Sequence, residues 1–405
     1  MLEKAGQQKK SVAVVGVLGL LTIFPPLATD MYLAAIGDLA ESMQASHAAA
    51  ELSLSLFFLG LCVGQLVLGP IIDSFGRKKP LMVGVALFIA TSIALVLADN
   101  IIIFNVLRFF QAVGACAGMV VGRAIVNDLY HGREAAKVMN ILVMMLTIGP
   151  IISPTLGSLL LEAFGWRSIF IVMVMIGMLA YLLSFSVVTE TLPRHARKPF
   201  SLPSARKAFT KLIINRGFIL NALIAGLIQG GMFAFITGSS GVFQGVFGLS
   251  ALQYGLMFAG IALALMVFGF ANKALLNRYA PDDLLKFGLR FYTVITFTLV
   301  CVSRTSFMWG YVAPLWFAIG MVGLLSANAM SLAMASGRAD SGSASALLGA
   351  IQFAIAFSVS CCVAVAGTGS AIPMALGLFI PCLLALLFSE WWGHKLAPSR
   401  GRDIR

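Results

Sequence analysis

Apolar residues run in long blocks along the whole chain, and charged residues collect in the short gaps between them. A helix needs ~17–25 mostly apolar residues to cross the hydrocarbon of a bilayer. Spans of that length are predicted at about 12–36, 49–72, 80–98, 101–126, 138–161, 168–189, 217–241, 252–272, 287–303, 308–331, 344–366 and 372–393. Lipid offers no partner to an unpaired N–H or C=O. The runs also lack the ~10-residue alternation of barrel strands, so they cross as helices. The pattern predicts an all-α membrane protein with twelve transmembrane helices.

Composition sharpens this reading. The chain has 405 residues, 60% hydrophobic and 11% charged, against about half apolar and a quarter charged in soluble domains. Little is left for a soluble domain. A net charge of +12 would suggest nucleic acid in a soluble protein, but here the placement of the charge matters more than its sum. With the N-terminus inside, most of the 28 Lys and Arg fall on the cytoplasmic side, as the positive-inside rule requires. Only Arg167 and Arg304 fall outside, while Arg108, Arg123 and Arg290 lie within spans. The expected protein is therefore multi-pass, with both termini cytoplasmic and no nucleic-acid partner. The opening MLEKAGQQKK and the run through Ile36 read as an uncleaved first span, since the run is too long for a signal peptide and lacks a clear cleavage site. The 6 Cys show no CxxC spacing and the 4 His are scattered, so neither a disulfide scaffold nor a metal site is expected. No cofactor is implied.

The longest gap, 190–216, carries Pro193, Pro199, Pro203 and a dense set of basic residues. It reads as a tether that orients the chain and touches anionic lipid, with a regulatory or partner site as the alternative. It divides the chain into a tail 1–11, a six-helix bundle 12–189, the basic loop 190–216, a second six-helix bundle 217–393 and a tail 394–405. A faint repeat links the loops beginning at Gly69 (GPIIDSFGRKK) and Gly269 (GFANKALLNR), as parallel transporter repeats do.

Candidate chemistry begins at Asp30, in FPPLATDMYLAAI. A carboxylate at bilayer depth costs ~2.5–3.5 kcal/mol and ordinarily faces a cavity or a partner; the alternative is a wetted aspartate at a helix end. Pro25 and Pro26 lack N–H groups, and such broken helices are tolerated where they line a cavity. Arg108, in the fourth span, stays charged and demands acceptors, with Gln111 on the same face. It is expected to interact with Asp30 directly or through water, or else to bond loosened backbone carbonyls. Desolvation favours the neutral acid and a nearby cation the carboxylate, so their balance decides whether Asp30 can carry a proton. Gly114, Gly118 and Gly122 form a ridge for close helix approach. Gly149, Pro150, Pro154 and Gly157 in TIGPIISPTLGS predict a kink, either for packing alone or for gating. In GPIIDSFGRKKP, Asp73, Gly76 and Arg77 form a tight turn in which the carboxylate can meet a guanidinium or a helix N-terminus. The absence of P-loop, GxSxG and HExxH patterns disfavours an ATP-driven pump or a membrane protease, so the chain is not expected to be an enzyme.

These motifs together resemble the major facilitator superfamily, and within it the Bcr/CflA-type drug:proton antiporters. The resemblance rests on ATDMYLAA, GPIIDSFGRKKP, LRFFQAVGA, GRAIVNDLY, GPIISPTLG and GWRSIF, in that order along the first half. Three positions depart from the usual pattern: Ser74 in the loop motif, Ala34 after DMYL, and Asn127 where arginine is frequent. The resemblance implies two six-helix bundles rocking about a central cavity, in the inner membrane of a bacterium, with protons entering as an amphipathic compound leaves. Asp30 would be the protonation site and Arg108 its coupling partner. Asp73, Gly76 and Arg77, with Gly149, Pro150, Pro154 and Gly157, would serve gating. Plausible substrate contacts are Thr29, Asp30, Phe57, Arg108 and Gln111, with Gln229, Phe233 and Phe235 in the seventh span, because such sites are mostly apolar with few polar groups. The partners expected are a small-molecule substrate, protons and membrane lipid, and the protein is expected to be a monomer. The same machinery moving a specific metabolite or a metal-chelating compound, and a non-transporting membrane sensor, are the alternatives.

Overall fold

The computed structural model describes residues 13–130, 132–197, 202–305, 307–337, 341–367 and 369–396. The N-terminal tail, His131, Lys198, Pro199, Arg338 and residues 397–405 of the C-terminal tail lie outside these. No strand occurs among the described residues, and 12 helical spans are long and apolar enough to cross a membrane. The all-α reading therefore holds.

The first span is broken into pieces: α1 over 13–22, α2 (Phe24–Asp30), a 3-10 turn (Leu33–Ala35) and α3 (Ile36–Ser42). Pro25 and Pro26 sit in the first turn of α2, where a missing N–H is tolerated. The chain continues with α4 (His47–Phe75), α5 (Lys78–Val96), α6 (Ile101–Leu129), α7 (Gly132–Phe164) and α8 (Arg167–Val187). The 190–216 stretch is more ordered than a tether, since it holds the helix α9 (Leu202–Ile214). Pro203 falls in its first turn; Arg206, Lys207 and Lys211 face outward while Leu212 is buried. There follow α10 (Arg216–Ser240), running into a π-helical turn (Gly241–Val246), then α11 (Ala251–Leu275), α12 (Pro281–Val302), α13 (Met308–Ser336), α14 (Ser341–Ala366) and α15 (Ile372–Leu396).

The chain forms two compact units, residues 1–207 with 249–259, and 208–248 with 260–405. In the first, α6 is central and packs against α4 and α5. Small residues permit the approach: a Cβ on Gly64 would meet Cys116, and one on Gly114 would lie 2.6 Å from the Phe88 backbone nitrogen. In the second unit α10 is central, against α13, α14 and α15. Apolar side chains such as Phe110, Leu182, Phe185, Phe287 and Phe297 remain exposed, the arrangement of a bundle whose outer surface is solvated by lipid rather than water.

Candidate functional site

Asp30 is the last residue of α2 and is 1% exposed. Its Oδ1 accepts from Thr29 Oγ1 at 2.8 Å, and the same hydroxyl lies 3.0 Å from the Pro25 carbonyl and 3.3 Å from that of Pro26. A single hydroxyl proton must serve all three acceptors, so Asp30 competes with backbone for its one donor among the described residues. The break that places the acid here follows from the sequence. Pro25 cannot bond the Leu21 carbonyl, and Gly118 of α6 comes so close to that oxygen that a Cβ would lie 2.8 Å from it.

The fifth-span motif closes over the same break. α7 runs through Pro150 and Pro154 as one helix, and its glycines meet the first span. A Cβ on Gly149 would lie 2.7 Å from the Pro26 ring, and one on Gly157 would overlap the Met31 carbonyl. The Gly114–Gly118–Gly122 ridge does not serve a single partner: Gly114 meets α5, while Gly118 and, more loosely, Gly122 meet α1, where a Cβ on Gly122 would lie 3.8 Å from Thr22 Oγ1.

Arg108 on α6 is fully buried. Its Nη1 donates to Gln111 Oε1 at 2.6 Å, and Gln111 Nε2 donates in turn to Ser92 Oγ at 2.8 Å. The guanidinium carbon lies 4.4 Å from the Phe57 ring centre, 4.8 Å from that of Tyr32 and 6.0 Å from that of Phe170. Nε and Nη2 make no hydrogen bond among the described residues. No carboxylate stands within 4.0 Å of Arg108 among the described residues, so the expected direct pairing with Asp30 is absent. The physical reason is the turn after α2, which carries Tyr32 rather than Asp30 over the guanidinium, where aromatic faces stabilise a desolvated cation. Phe57 and Gln111, read from sequence as substrate contacts, form this aromatic and amide cradle.

At the other end of α4 the Gly76 turn gathers a charged cluster. Gly76 has φ 90°, and a Cβ there would strike the Glu190 carboxylate. Arg77 bonds Asp73 Oδ1 at 2.7 Å and Asp128 Oδ2 at 2.9 Å, and Thr191 donates to the same Asp128 oxygen at 2.7 Å. Glu190 Oε1 accepts from the Arg77 amide at 2.8 Å and from the Leu192 amide at 3.0 Å, and Oε2 from the Lys78 amide at 3.4 Å. The carboxylate thus caps α5 from far along the chain. Burial pushes the Glu190 acid up, but the amide bonds from Arg77, Leu192 and Lys78, with the Arg197 charge, outweigh it and hold the acid below the ordinary glutamate value. The Asp73, Gly76 and Arg77 turn was legible in the sequence. Asp128, Glu190, Thr191 and Arg197 were not, because nothing local in sequence brings residues 128 and 190 to residue 77.

In the second unit, Gln229 and Phe233 share a half-buried face of α10, with Phe233 6.0 Å from the Phe353 ring. Phe235 faces elsewhere and is fully buried. Thr237 and Ser360 pair at 2.7 Å, and Asn328 donates to Asn272 at 2.8 Å, polar links that the spacing did not suggest.

The family model for the Major Facilitator Superfamily matches residues 18–361. An uncharacterized MFS-type transporter, YdgK of Bacillus subtilis, is 34% identical over 385 residues, covering 94% of this chain and 95% of that one. A bicyclomycin resistance protein homolog of Haemophilus influenzae is 28% identical over 397 residues, 98% of this chain and all of that one. Multidrug resistance protein MdtL of Shigella flexneri is 29% identical over 369 residues, 91% and 92% of the two chains. Among solved structures, the partially occluded, inward-open xylose transporter XylE from E. coli aligns with TM-score 0.72 at 14% identity, over 97% of this chain and 99% of that one, which speaks to fold alone. The resistance names among these relatives are those expected of the Bcr/CflA type, and the fold is that of a multi-pass transporter rather than an enzyme. This chain belongs to the major facilitator superfamily.

Proposed function

We propose that the protein is a proton-coupled exporter of small amphipathic compounds, antibiotics among them, working by alternating access with both termini in the cytoplasm. The observation that carries this reading is Asp30, a carboxyl buried at a break in an apolar span with one shared hydroxyl as its partner. A group so poorly solvated can bind and release a proton as its surroundings change. The relatives named for bicyclomycin and multidrug resistance support the class of cargo. Arg108 serves as coupling partner. The Asp73, Gly76 and Arg77 cluster and the α7 residues Gly149, Pro150, Pro154 and Gly157 act in gating, and Thr29, Phe57, Gln111, Gln229, Phe233 and Phe235 contribute to cargo binding. The working unit is one chain. One charge moved through ~150 mV yields about 3.5 kcal/mol, equivalent to a gradient of a few hundredfold, roughly one decade per 1.4 kcal/mol. That suffices for extrusion.

The test is drug accumulation in cells across a panel of compounds, wild type against Asp30→Asn. The variant keeps the shape and removes the titrating proton, so export stops while expression at the membrane is unchanged. Undiminished efflux in Asp30→Asn rejects the assignment, and protection against no compound in the panel moves the reading to a dedicated metabolite.

A further inference from the structure

The first unit buries another acid that the sequence pattern leaves in the shadow of a helix start. Glu51 stands in the second turn of α4 and is 0% exposed. Neither carboxyl oxygen has a hydrogen-bond partner among the described residues. Oε1 lies 3.1 Å from Nδ1 of His47, one turn earlier, whose side chain is 40% exposed. That separation is within ion-pair reach. A buried carboxylate kept for structure is held by several hydrogen bonds. This one has an ionisable neighbour at the surface instead.

Its surroundings tie it to the coupling arginine. Tyr32, in the turn after α2, donates to the Ala50 carbonyl at 3.0 Å and contacts the Ser53 hydroxyl. The Tyr32 hydroxyl is acted on by the charges of both Arg108 and Glu51, and its ring lies against the Arg108 guanidinium. From α6, Asn105 donates to the Ala49 carbonyl at 3.1 Å. The remaining acids on neighbouring α3, Asp38 and Glu41, are exposed. The titratable groups beside Glu51 are thus His47 from its own helix and Tyr32 from the first span, and Tyr32 in turn lies against Arg108 of α6.

We infer that Glu51 is a second proton-binding site of the transporter, with His47 exchanging protons between it and the solvent at that end of the unit. The inference extends the proton-coupled reading of Asp30 and rests on it for its role in transport. In the exchange, the Nδ1–H bond of the imidazolium breaks and an O–H bond forms at Oε1. The ion pair becomes a neutral acid beside a neutral ring, and water returns a proton to the ring. Protonation of Glu51 removes a negative charge beside Tyr32, whose ring lies on the Arg108 guanidinium. Arg108, with two nitrogens unbonded among the described residues, is then freer to change partners.

The experiment is pH-difference infrared spectroscopy of the purified full-length protein in lipid, without any cargo, reading the high-frequency C=O stretch of acids shielded from water. Wild type is expected to show two such bands growing as pH falls, one lost in Glu51→Gln and the other in Asp30→Asn. Glu51→Asp shifts its band without removing it, which decides the assignment should the Gln variant fold poorly. His47→Ala leaves the Glu51 band in place and slows its rise after a pH jump several-fold. Spectra of Glu51→Gln and Glu51→Asp identical to wild type overturn the site, and wild-type kinetics in His47→Ala overturn the exchange role. A missing Asp30 band beside an intact Glu51 band overturns the Asp30 assignment and not this one.

Discussion

The Arg108 guanidinium is held by three aromatic faces and one amide oxygen, an arrangement that depends on its flat shape. Lysine offers a point charge that cannot bond Gln111 in the plane and lie against Phe57 and Tyr32 together. Arg108→Lys is therefore expected to lose most transport in the accumulation assay, although the charge is kept. Phe57→Ala removes one aromatic face, worth about 0.5–2 kcal/mol for a cation, and should lower the thermal midpoint of the detergent-solubilised protein. Wild-type export by Arg108→Lys would show that charge alone matters there. The identities of Asp30 and Arg108 stand out in the sequence because charged residues in apolar runs are conspicuous. Glu51 escaped notice because a charge within five residues of a helix start looks wetted, and only the packing of the first span and α6 over it shows otherwise.

At the level of elements, close helix contacts replace side-chain volume. Gly157 of α7 lies directly on the Met31 carbonyl, so Gly157→Leu must push α7 off the broken first span. Its expected outcome is loss of folded protein, measured as monodisperse yield after solubilisation, whereas Gly16→Leu, at an open position, should be tolerated. The α5 cap makes a pH prediction. Glu190 is held below its ordinary value, so its stabilising bonds are fully present above the unfolded-state pKa and are lost as pH falls through the lower folded value. Thermal stability should therefore drop over that acidic window by an amount set by charged amide bonds of about 1.5–3 kcal/mol each, reduced by solvent at this partly exposed site. Glu190→Gln should flatten the drop. A melting curve with the same pH dependence in the variant would assign the effect to other acids.

For the whole molecule, the proposed orientation rests on the basic residues. The Arg77, Lys78 and Lys79 turn and the α9 cations Arg206, Lys207 and Lys211 are expected on the cytoplasmic side, with Arg167 and Arg304 on the other. Single cysteines placed at Arg206 and Arg304 in a cysteine-free background should react with a membrane-impermeant thiol reagent from opposite sides of the membrane. Labelling of both from one side would invert or redraw the topology. The π-helical turn after α10 and the helix inside the central loop belong to this scale too. The π-helical turn has no local signature strong enough to read, and α9 is amphipathic but too short and too polar to register as a span.

Hydropathy and charge placement by themselves determined that the chain crosses a membrane twelve times as helices, because lipid offers the polar backbone of these long apolar runs no partner but itself. The motifs also marked the first-span break, the Gly76 turn and the glycines of α7. Tertiary structure decided the partners. It put Tyr32 rather than Asp30 on Arg108, Glu190 on the amides of Arg77 and Lys78, and Glu51 out of water. Such choices turn on which side chains meet across helices distant in sequence, where angstrom-scale approach fixes both desolvation and hydrogen bonding, and a linear pattern carries no record of that distance.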